Sequence, residues 1–502
     1  MMTEGTQDSD KSISRRTVLI AGGASVGAAA LIGGAFWAGT TIGGGSTPTS
    51  NPTQDSGGTS DAGREPEILR SSNGKLTVDL VVAYTTVNIA GQDARLMTYN
   101  GTTPGPTLMA KPGDVITVNF TNNLGMMTNL HTHGLHVSPS GNSDNIFVHV
   151  EDGETFTYQY TLAEDHPSGV FWYHPHPHGM TADQLFSGLY GALIVEEPTP
   201  LPATQERVLV LSDISIRTDG SVAGANNMSK MMGREGDILL TNGQVQPGYA
   251  SEQNALERWR IVNACASRYM TLSFTGAQQA QLLGIDSGHY AKPKNITTIT
   301  LAPGNRADVM VQFGSAPVQL EYTAAPNTIM EGISITNYPV AVFTPTTTKA
   351  ATVAPVAAIG AGPDLRGETI NGTRSFTLNM PGGMGSGGMG GGMNGNFTIN
   401  GEAFNMDVIN TTVQLGHIEE WTLINATTME HPFHLHVWPM QVLSIGGTAI
   451  DDVEYQDVVN IPANSQSVVR VHFDQFDGKA VYHCHILDHE DLGMMGIIQA
   501  NV

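Results

Sequence analysis

Two eight-residue stretches of the chain, ERWRIVNA (Glu257–Ala264) and EEWTLINA (Glu419–Ala426), are copies of one strand. Each follows an Asn-Gly turn at a similar spacing, in LLTNGQ from Leu239 and in FTINGE from Phe397. A related stretch, GDVITVNFTNNL, begins at Gly113, and the later segments TFTYQY, ADVMVQF and SVVRVHF also correspond. These segments alternate with the period of two that is typical of a strand with one buried face. The repeat predicts three β-sandwich domains in tandem.

We place these domains at residues 65–198, 199–345 and 371–502, with a linker at residues 346–370. A chain of 502 residues is long enough for three packed cores. The 58 glycines and 26 prolines indicate many short strands joined by turns. Long amphipathic helical patterns are scarce, so the predicted fold class is all-β.

Acidic residues dominate the charge of the chain. There are 46 Asp and Glu residues against 23 Lys and Arg residues, which gives a formal net charge of −23. This charge argues against nucleic acid or an anionic membrane surface as a partner, and it favours a soluble protein that tolerates cations.

The N-terminal region, residues 1–40, carries a predicted export signal. Arg15 and Arg16 precede a charge-free run rich in Ala and Gly, which resembles a twin-arginine signal. The alternative is a retained membrane anchor, because Val18–Trp37 is just long enough to span a bilayer. The Gly-, Ser-, Thr- and Pro-rich residues 41–64 are predicted to form a disordered tether. We therefore expect a periplasmic, cell-surface or extracellular protein.

Histidines recur as His-x-His pairs in the first and third domains but not in the second. NLHTHGL corresponds to EHPFHLH, and FWYHPHPHG corresponds to AVYHCHILD. Residues i and i+2 of a strand face the same side, so each pair projects two imidazoles together. The pairs are His131/His133, His174/His176, His434/His436 and His483/His485. Aligning YHPH with YHCH selects His174 and His176 and leaves His178 near the site or at the surface.

Eight such imidazoles, four from each terminal domain, can meet only where those domains touch. Imidazole suits Cu, Zn, Fe or Ni. The number of ligands predicts three metal ions, two with three histidines each and one with two histidines and open positions.

Cys484 lies between His483 and His485 and must face the opposite side of the strand. His431, His489 and Met494 complete the two imidazoles, thiolate and weak axial thioether of a blue-copper electron-transfer site. Zinc has no use for the axial thioether and no redox chemistry, so copper is the predicted metal. Cys265 is then expected to be a small buried apolar residue rather than half of a disulfide.

These motifs resemble a known family. HTHG, YHPHPHG, HPFHLH and HCHILDHEDLGMM are similar to the four copper-binding signatures of three-domain multicopper oxidases, which include laccases, bilirubin oxidases and bacterial cuprous oxidases. The resemblance spans about residues 75–502 and implies three cupredoxin-like Greek-key domains with four copper ions. It also implies four one-electron oxidations of a phenol, an aromatic amine or Cu(I), coupled to the reduction of O₂ to water. The alternatives are a dedicated cuprous oxidase for copper detoxification and a non-enzymatic copper-binding relative.

The resemblance also implies how the ligands divide. The type 1 copper would take His431, Cys484, His489 and axial Met494; the type 2 copper would take His131 and His434; one type 3 copper would take His133, His174 and His485; and the other would take His176, His436 and His483. Electrons would pass from Cys484 to the adjacent histidines along the main chain.

Two acids match carboxylates that the family uses around its oxygen site. Asp144 follows His133 in GNSDN, and Glu490 follows His489. We expect both to relay protons to bound oxygen species through water. The alternative is an Asx-turn for Asp144 and a surface contact for Glu490.

The substrate is less well specified by the sequence. Met384, Met389 and Met393 lie in a Gly-rich segment that could bind Cu(I) or could be a tolerated insertion. A second cluster, Met228, Met231 and Met232, is expected to pack in the interior. Glu430 is a candidate for the substrate rim, and Thr427 replaces an aspartate found in some copper-efflux oxidases.

Overall fold

The computed structural model describes residues 62–323, 338–380 and 397–502, and these form six β-sheets. The predicted signal, nearly all of the predicted tether and the segment with Met384, Met389 and Met393 lie outside the described residues. The end of the predicted tether is ordered, because Gly63 N donates to Gly248 O at 2.7 Å. No helix among the described residues has both the length and the apolar character needed to cross a membrane.

The first pair of sheets has the strand orders β1-β4-β9-β8-β6 and β3-β2-β5-β7. Apolar residues of both sheets pack into one core. The strands are β1 (Ile68–Arg70), β2 (Lys75–Ile89), β3 (Gln92–Tyr99), β4 (Thr107–Ala110), β5 (Val115–Asn123), β6 (His131–His133), β7 (Thr155–Thr161), β8 (Gly169–His174) and β9 (Gly191–Val195). A short helix, α1 (Thr181–Phe186), precedes β9.

The second pair has the orders β11-β10-β13-β18-β15-β16 and β12-β20-β19-β14-β17. The strands are β10 (Gln205–Ile214), β11 (Ile238–Thr241), β12 (Gly248–Gln253), β13 (Leu256–Asn263), β14 (Met270–Thr275), β15 (Gln279–Ile285), β16 (Lys294–Ile296), β17 (Thr298–Leu301), β18 (Arg306–Gln312), β19 (Val318–Thr323) and β20 (Tyr338–Lys349). Helix α2 (Asn227–Met232) lies between β10 and β11.

The third pair has the orders β22-β21-β24-β30-β26-β27, with β28 also paired to β26, and β23-β32-β31-β25-β29. The strands are β21 (Gly372–Asn379), β22 (Thr398–Ile399), β23 (Ile409–Gln414), β24 (Ile418–Asn425), β25 (His431–Leu435), β26 (Met440–Ile445), β27 (Thr448–Ala449), β28 (Tyr455–Gln456), β29 (Val458–Ile461), β30 (Ser465–His472), β31 (Gly478–Cys484) and β32 (Met495–Asn501). Helix α3 (Leu487–Asp491) follows β31. The predicted all-β chain of three tandem sandwiches is confirmed.

The copied strand that begins with Glu257 and Glu419 has the same contacts in both copies. In β13, the Glu257 carboxylate accepts hydrogen bonds from Trp259 Nε1 at 2.9 Å and from the Arg207 guanidinium at 2.8 Å. In β24, Glu419 accepts from Trp421 Nε1 at 2.8 Å and from Arg374 at 2.6 Å. The arginine lies on the parallel neighbour strand in each case. The repeated residues therefore form the same hydrogen-bond network in both domains.

A repeated asparagine ends the corresponding strand in all three domains. Asn122, Asn263 and Asn425 each donate one side-chain hydrogen bond to a main-chain carbonyl of the following loop and one to a carbonyl 28 to 38 residues further along the chain. Each also accepts one bond from the main-chain N–H two residues later. The side chain thus fixes the loop that leaves the strand, and in the terminal domains that loop leads to His131 and His431.

The first domain also has the Asn-Gly turn that was recognised in the sequence only in the second and third. Asn100, Asn242 and Asn400 have φ values of 52°, 51° and 56°, in the left-handed region that asparagine tolerates. Each side chain accepts a hydrogen bond from a main-chain N–H of the strand that pairs antiparallel with the one before the turn.

The segment predicted as a linker is packed rather than free. Strand β20 continues past residue 345 to Lys349, and Val356 is buried against the second domain. Further on, Leu365 is buried at the start of a 3₁₀ turn, and its N–H donates to Gln441 Oε1 at 2.6 Å. We keep the boundaries at residues 345 and 371 as a proposal, but the connection binds both domains.

The short helices join the three domains beside the predicted sites. Arg234, just after α2, donates to the Asp488 carboxylate of α3 at 2.6–3.1 Å and to Asp183 of α1 at 2.5 Å. Asp491 accepts from the N–H groups of Thr181 and Ala182 at the start of α1. The pairing of Arg234 with Asp488 offsets part of the free-energy cost of burying these two charges between domains.

Candidate metal centres

Strand β31 directs adjacent side chains to two different places, as the alternation in the sequence predicts. His483 and the next-but-one residue, His485, have ring centroids 5.7 Å apart and face the first domain. Cys484 points instead into the core of the third domain, together with Met494. Strand β31 ends at Cys484. His485 lies just past this last strand residue but still faces the same side as His483.

All eight predicted cluster histidines meet in one buried site. Each is 2% exposed or less. They come from the ends of four strands, β6, β8, β25 and β31. The eight residues are His131, His133, His174, His176, His434, His436, His483 and His485. His178 is exposed, and its ring contacts that of Phe404 in a tilted arrangement with a centroid distance of 4.6 Å, so it lies apart from this site.

Short ring contacts occur both within and between the ligand sets that the family resemblance implies. Two pairs of rings from different sets stack, His131 with His436 at 3.9 Å and His133 with His434 at 3.8 Å. His483 Nε2 lies 3.1 Å from both His176 Nε2 and His436 Nε2. The rings of His133, His174 and His485 lie 4.9–5.8 Å apart. The remaining pair, His131 and His434, has a centroid distance of 6.0 Å.

Several of these rings have one nitrogen held and the other without a partner. The Nδ1 atoms of His174 and His434 lie 2.9 and 2.8 Å from the carbonyls of Pro175 and Asp457. Their Nε2 atoms, and His131 Nε2, have no hydrogen-bond partner among the described residues. A buried unpaired nitrogen costs free energy unless it binds a cation. This pattern, in which one ring nitrogen is fixed by an acceptor, is typical of metal-ligating histidines.

The second site surrounds the Cys484 thiol. His431 Nδ1 lies 3.4 Å and His489 Nδ1 lies 3.8 Å from Cys484 Sγ. All three residues and Met494 are buried. The opposite nitrogens are fixed as well, because His431 Nε2 lies 2.9 Å from Thr427 Oγ1 and His489 Nε2 lies 3.0 Å from the Met231 carbonyl. Two imidazoles, a thiol and a thioether match the ligand set of a blue-copper site.

Burial keeps these donors in different protonation states before a metal binds. It lowers the pKa of His431 and His174 to about 3 and that of His483 to about 4, so the imidazoles are neutral at pH 7. It raises the pKa of the Cys484 thiol well above its usual range. A cation at Sγ would favour the thiolate, and therefore metal binding would release that proton.

Asp144 is the buried acid beside the first histidine pair. Both carboxylate oxygens lie 3.0 Å from His131 Nδ1, and Oδ1 accepts from Thr132 N at 2.8 Å and Thr132 Oγ1 at 3.1 Å. Burial raises the pKa of Asp144 to about 7, and the Thr132 hydrogen bonds oppose the rise. The contact with His131 is more than the Asx-turn alternative requires.

Glu490 is also buried, which rules out the surface-contact alternative. Its Oε1 accepts from Thr181 Oγ1 at 3.1 Å and lies 3.6 Å from His176 Nδ1. Its Oε2 lies 3.6 Å from His483 Nδ1 and has no hydrogen-bond partner within the described parts of the chain. Burial and the nearby charge of Asp491 raise the pKa of Glu490.

The prediction that the methionines of α2 pack in the interior is wrong for two of the three. Met228 is 61% and Met232 is 39% exposed, so they do not pack in the interior as predicted. Only Met231 is partly buried against the third-domain core, and its carbonyl is the group that contacts His489. Helix α2 therefore covers one edge of the Cys484 site.

Sequence reasoning also missed Asp457, whose carboxylate lies 2.9 Å from His133 Nε2. No motif marks this aspartate, and the contact joins residues 324 positions apart. Glu430, the predicted rim acid, accepts from Asn460 Nδ2 at 2.8 Å, and Asn460 Oδ1 in turn accepts from Tyr269.

The two cysteines provide a matched test of the Cys484 site. Cys265 is a free, buried thiol in the second-domain core, as predicted. We expect Cys484→Ser to abolish the thiolate-to-copper absorption of the copper-loaded protein, whereas Cys265→Ser should retain it, because only Cys484 has imidazole nitrogens beside its sulfur. Visible absorption of both variants checks this, and loss of the band in Cys265→Ser alone would contradict the assignment.

Comparison with known proteins gives the same picture. Two models, both described as multicopper oxidase, match residues 81–200 and 381–501. The multicopper oxidase mco of Staphylococcus haemolyticus is 28% identical over 410 residues, which cover 80% of this chain and 83% of the relative. The laccase of Bacillus subtilis is 25% identical and covers 80% of this chain and 89% of its own length.

A solved structure agrees over the whole architecture. The multicopper oxidase from Campylobacter jejuni, described as a metallo-oxidase, has a TM-score of 0.76 and 27% identity, covering 87% of this chain and 96% of that chain. The predicted cupredoxin-like fold is thereby confirmed. The two matched segments hold all eight cluster histidines and every residue of the Cys484 site. This chain belongs to the multicopper oxidase family.

Proposed function

We propose that this chain oxidises a small reductant at the Cys484 site and delivers the electrons to O₂ at the eight-histidine site. The observation that carries the proposal is the position of residues 483–485, whose main chain connects the two buried donor sets directly. Bound copper would supply one-electron transfer at the first site and four-electron reduction of O₂ to water at the second.

We assign the copper ligands as the resemblance implies. The Cys484 site would hold the type 1 copper, with Met494 as the axial ligand. The remaining sets are His131 and His434 for type 2, His133, His174 and His485 for one type 3 ion, and His176, His436 and His483 for the other. The 3.1 Å contacts of His483 Nε2 with His176 Nε2 and His436 Nε2 support the last of these sets. The soft sulfur ligands favour copper over zinc.

The chain's own residues orient these donors and exclude bulk water. Thr427 and the Met231 carbonyl fix the outer nitrogens of His431 and His489, so both Nδ1 atoms face the thiol. The cluster is buried, which strengthens electrostatic interactions inside it. Asp144 Oδ1 and Oδ2 hold a proton at or near His131 Nδ1, and Glu490 lies between His176 and His483.

We propose that Asp144 and Glu490 deliver protons to the oxygen site. The geometry supports this because each carboxylate lies next to a cluster histidine without being part of a ligand set. Asp144→Asn and Glu490→Gln keep the side-chain volume but remove the transferable proton. We expect both variants to retain the blue absorption and to be reoxidised by O₂ more slowly, by about 10²-fold or more.

Stopped-flow mixing of the reduced variants with O₂ checks this prediction. Asp407→Asn, at an exposed carboxylate of the third domain, is the matched control and should be reoxidised at the wild-type rate. Wild-type reoxidation in both cluster variants would exclude a proton-delivery role.

The overall reaction is tested by its electron count. With either Cu(I) or a simple phenol, one O₂ should be consumed for every four reductant equivalents, without release of hydrogen peroxide. The Cys484→Ser protein should consume none through this route, because its entry site is lost. Oxygen uptake with a peroxide assay measures both, and peroxide as the main product would contradict four-electron reduction.

Cu(I) is the second candidate substrate beside phenols and aromatic amines. Helix α2 favours it, because the exposed thioethers of Met228 and Met232 lie four residues apart on the helix whose Met231 carbonyl contacts His489. Soft thioethers suit Cu(I). The double variant M228L/M232L should oxidise Cu(I) more slowly while its phenol turnover is unchanged. Equal losses for both substrates would instead indicate a structural role for α2. The same comparison of Cu(I) and phenol turnover after deletion of residues 384–393 tests the other methionine segment.

We further propose export through a twin-arginine signal formed by residues 1–40. The paired Arg15 and Arg16 and the weakly hydrophobic run after them support this route, which suits a protein folded around its cofactor. Replacing both arginines by lysine should leave the protein inside the cell, as fractionation would measure. Unchanged export of that variant would contradict the proposal.

A further inference from the structure

Asp457, which has no place in the ligand sets, lies where all three domains meet. It sits between β28 and β29 and is 1% exposed. Its Oδ1 lies 2.9 Å from His133 Nε2 of the first domain. Its main-chain carbonyl lies 2.8 Å from His434 Nδ1 of the third domain. A single residue thus contacts one histidine from each half of the cluster.

A buried arginine of the second domain binds this aspartate. Arg306, at the start of β18, donates through Nη1 to Asp457 Oδ1 and through Nη2 to Oδ2, both at 2.6 Å. Ser287 Oγ adds a third bond to Oδ2 at 2.6 Å. Such a two-pronged pair fixes the carboxylate plane as well as its position.

Arg306 is itself held on every side. It is 0% exposed, its Nε donates to the Val170 carbonyl of the first domain at 2.9 Å, and its Nη1 lies 3.2 Å from Asp286 Oδ1. Asp286 also accepts from Val458 N, which follows Asp457, at 3.1 Å. The arginine therefore has no freedom to follow the aspartate if the aspartate moves.

The Arg306–Asp457 ion pair is packed closely against the main chain of the first domain. Gly134, directly after His133, has φ +86°, and a Cβ there would lie 2.4 Å from Arg306 Nη2 and 2.7 Å from Asp457 Oδ2. The glycine of HTHG is thus required by the close approach of the ion pair, not by the turn alone. The ion pair therefore packs directly against the main chain next to His133.

We propose that Arg306, through Asp457, positions His133 and His434, so that the second domain sets the geometry of a copper cluster to which it contributes no ligand. His133 Nε2 is occupied by Asp457 Oδ1, and this leaves Nδ1 to bind copper. His434 Nδ1 is occupied by the Asp457 carbonyl, and this leaves Nε2. The unpartnered state of those two nitrogens within the described residues fits this division. The inference rests on the proposed ligand sets.

The direct test is Arg306→Lys, which keeps the charge but cannot reproduce the two-pronged contact. We expect it to bind the cluster coppers about 10-fold or more weakly and to shift the electron paramagnetic resonance spectrum of the type 2 copper. The blue absorption and the type 1 reduction potential should be unchanged, because within the described parts of the chain no contact of Arg306 reaches the Cys484 site.

Arg258→Lys is the matched control. Arg258 is equally buried and donates to the Asp308 carboxylate, but none of its contacts is a cluster histidine. It should lose stability without changing the type 2 spectrum or the copper stoichiometry. If Arg258→Lys altered the cluster spectra as much as Arg306→Lys, the effect would be general destabilisation and the proposal would be wrong.

If Arg306→Lys does not fold, Ser287→Ala tests the same positioning role. This milder substitution removes only one hydrogen bond to Asp457 Oδ2. A smaller shift of the same spectrum, with four coppers bound, supports the positioning role. A wild-type spectrum in every variant that folds overturns it. Failure of the wild-type protein itself to bind three coppers at the histidine cluster would refute the proposed function instead, so the two failures are distinguishable.

Discussion

The alternation of side chains along one extended segment is the constraint on which both metal centres depend. In β31 and the residue after it, His483 and His485 face the first domain, whereas Cys484 faces the core of its own domain. No rotamer choice could bring the sulfur to the same side as the two rings, because the direction is set at Cβ. The chain therefore separates the two donor sets and connects them by covalent bonds in the same three residues.

A second requirement is that the buried imidazoles be oriented, and for several of them an acceptor does this. Eight neutral rings in one cavity offer sixteen nitrogens, and random ring flips would present the wrong nitrogen to a metal. Here a carboxylate, a threonine hydroxyl or a main-chain carbonyl occupies one nitrogen of several rings, as in His131, His431 and His489. The cost of burying these groups is offset within the network, which leaves the other nitrogens free to bind.

The sequence predicted those features that depend on short spacing. The His-x-His pairs, the reversed direction of Cys484 and the repeated Glu-x-Trp strand all follow from a period of two. Asp457, Arg306 and the Met231 carbonyl could not be predicted, since they reach the sites through tertiary contacts over 151 to 324 residues. Met228 and Met232 were misassigned to the interior because composition does not reveal which face of a short helix is covered. The packing of the predicted linker against both domains could not be foreseen either, because its apolar residues are too dispersed to show a pattern.

Anomalous diffraction at the copper absorption edge, from crystals of the copper-loaded protein, would locate each copper ion relative to strand β31. We expect two separate groups of peaks: one copper bounded by Cys484, His431 and His489, and three coppers among the eight histidines, with residues 483–485 between the groups. A single group that includes both the sulfur and the rings of His483 and His485, or no copper at Cys484, would contradict it.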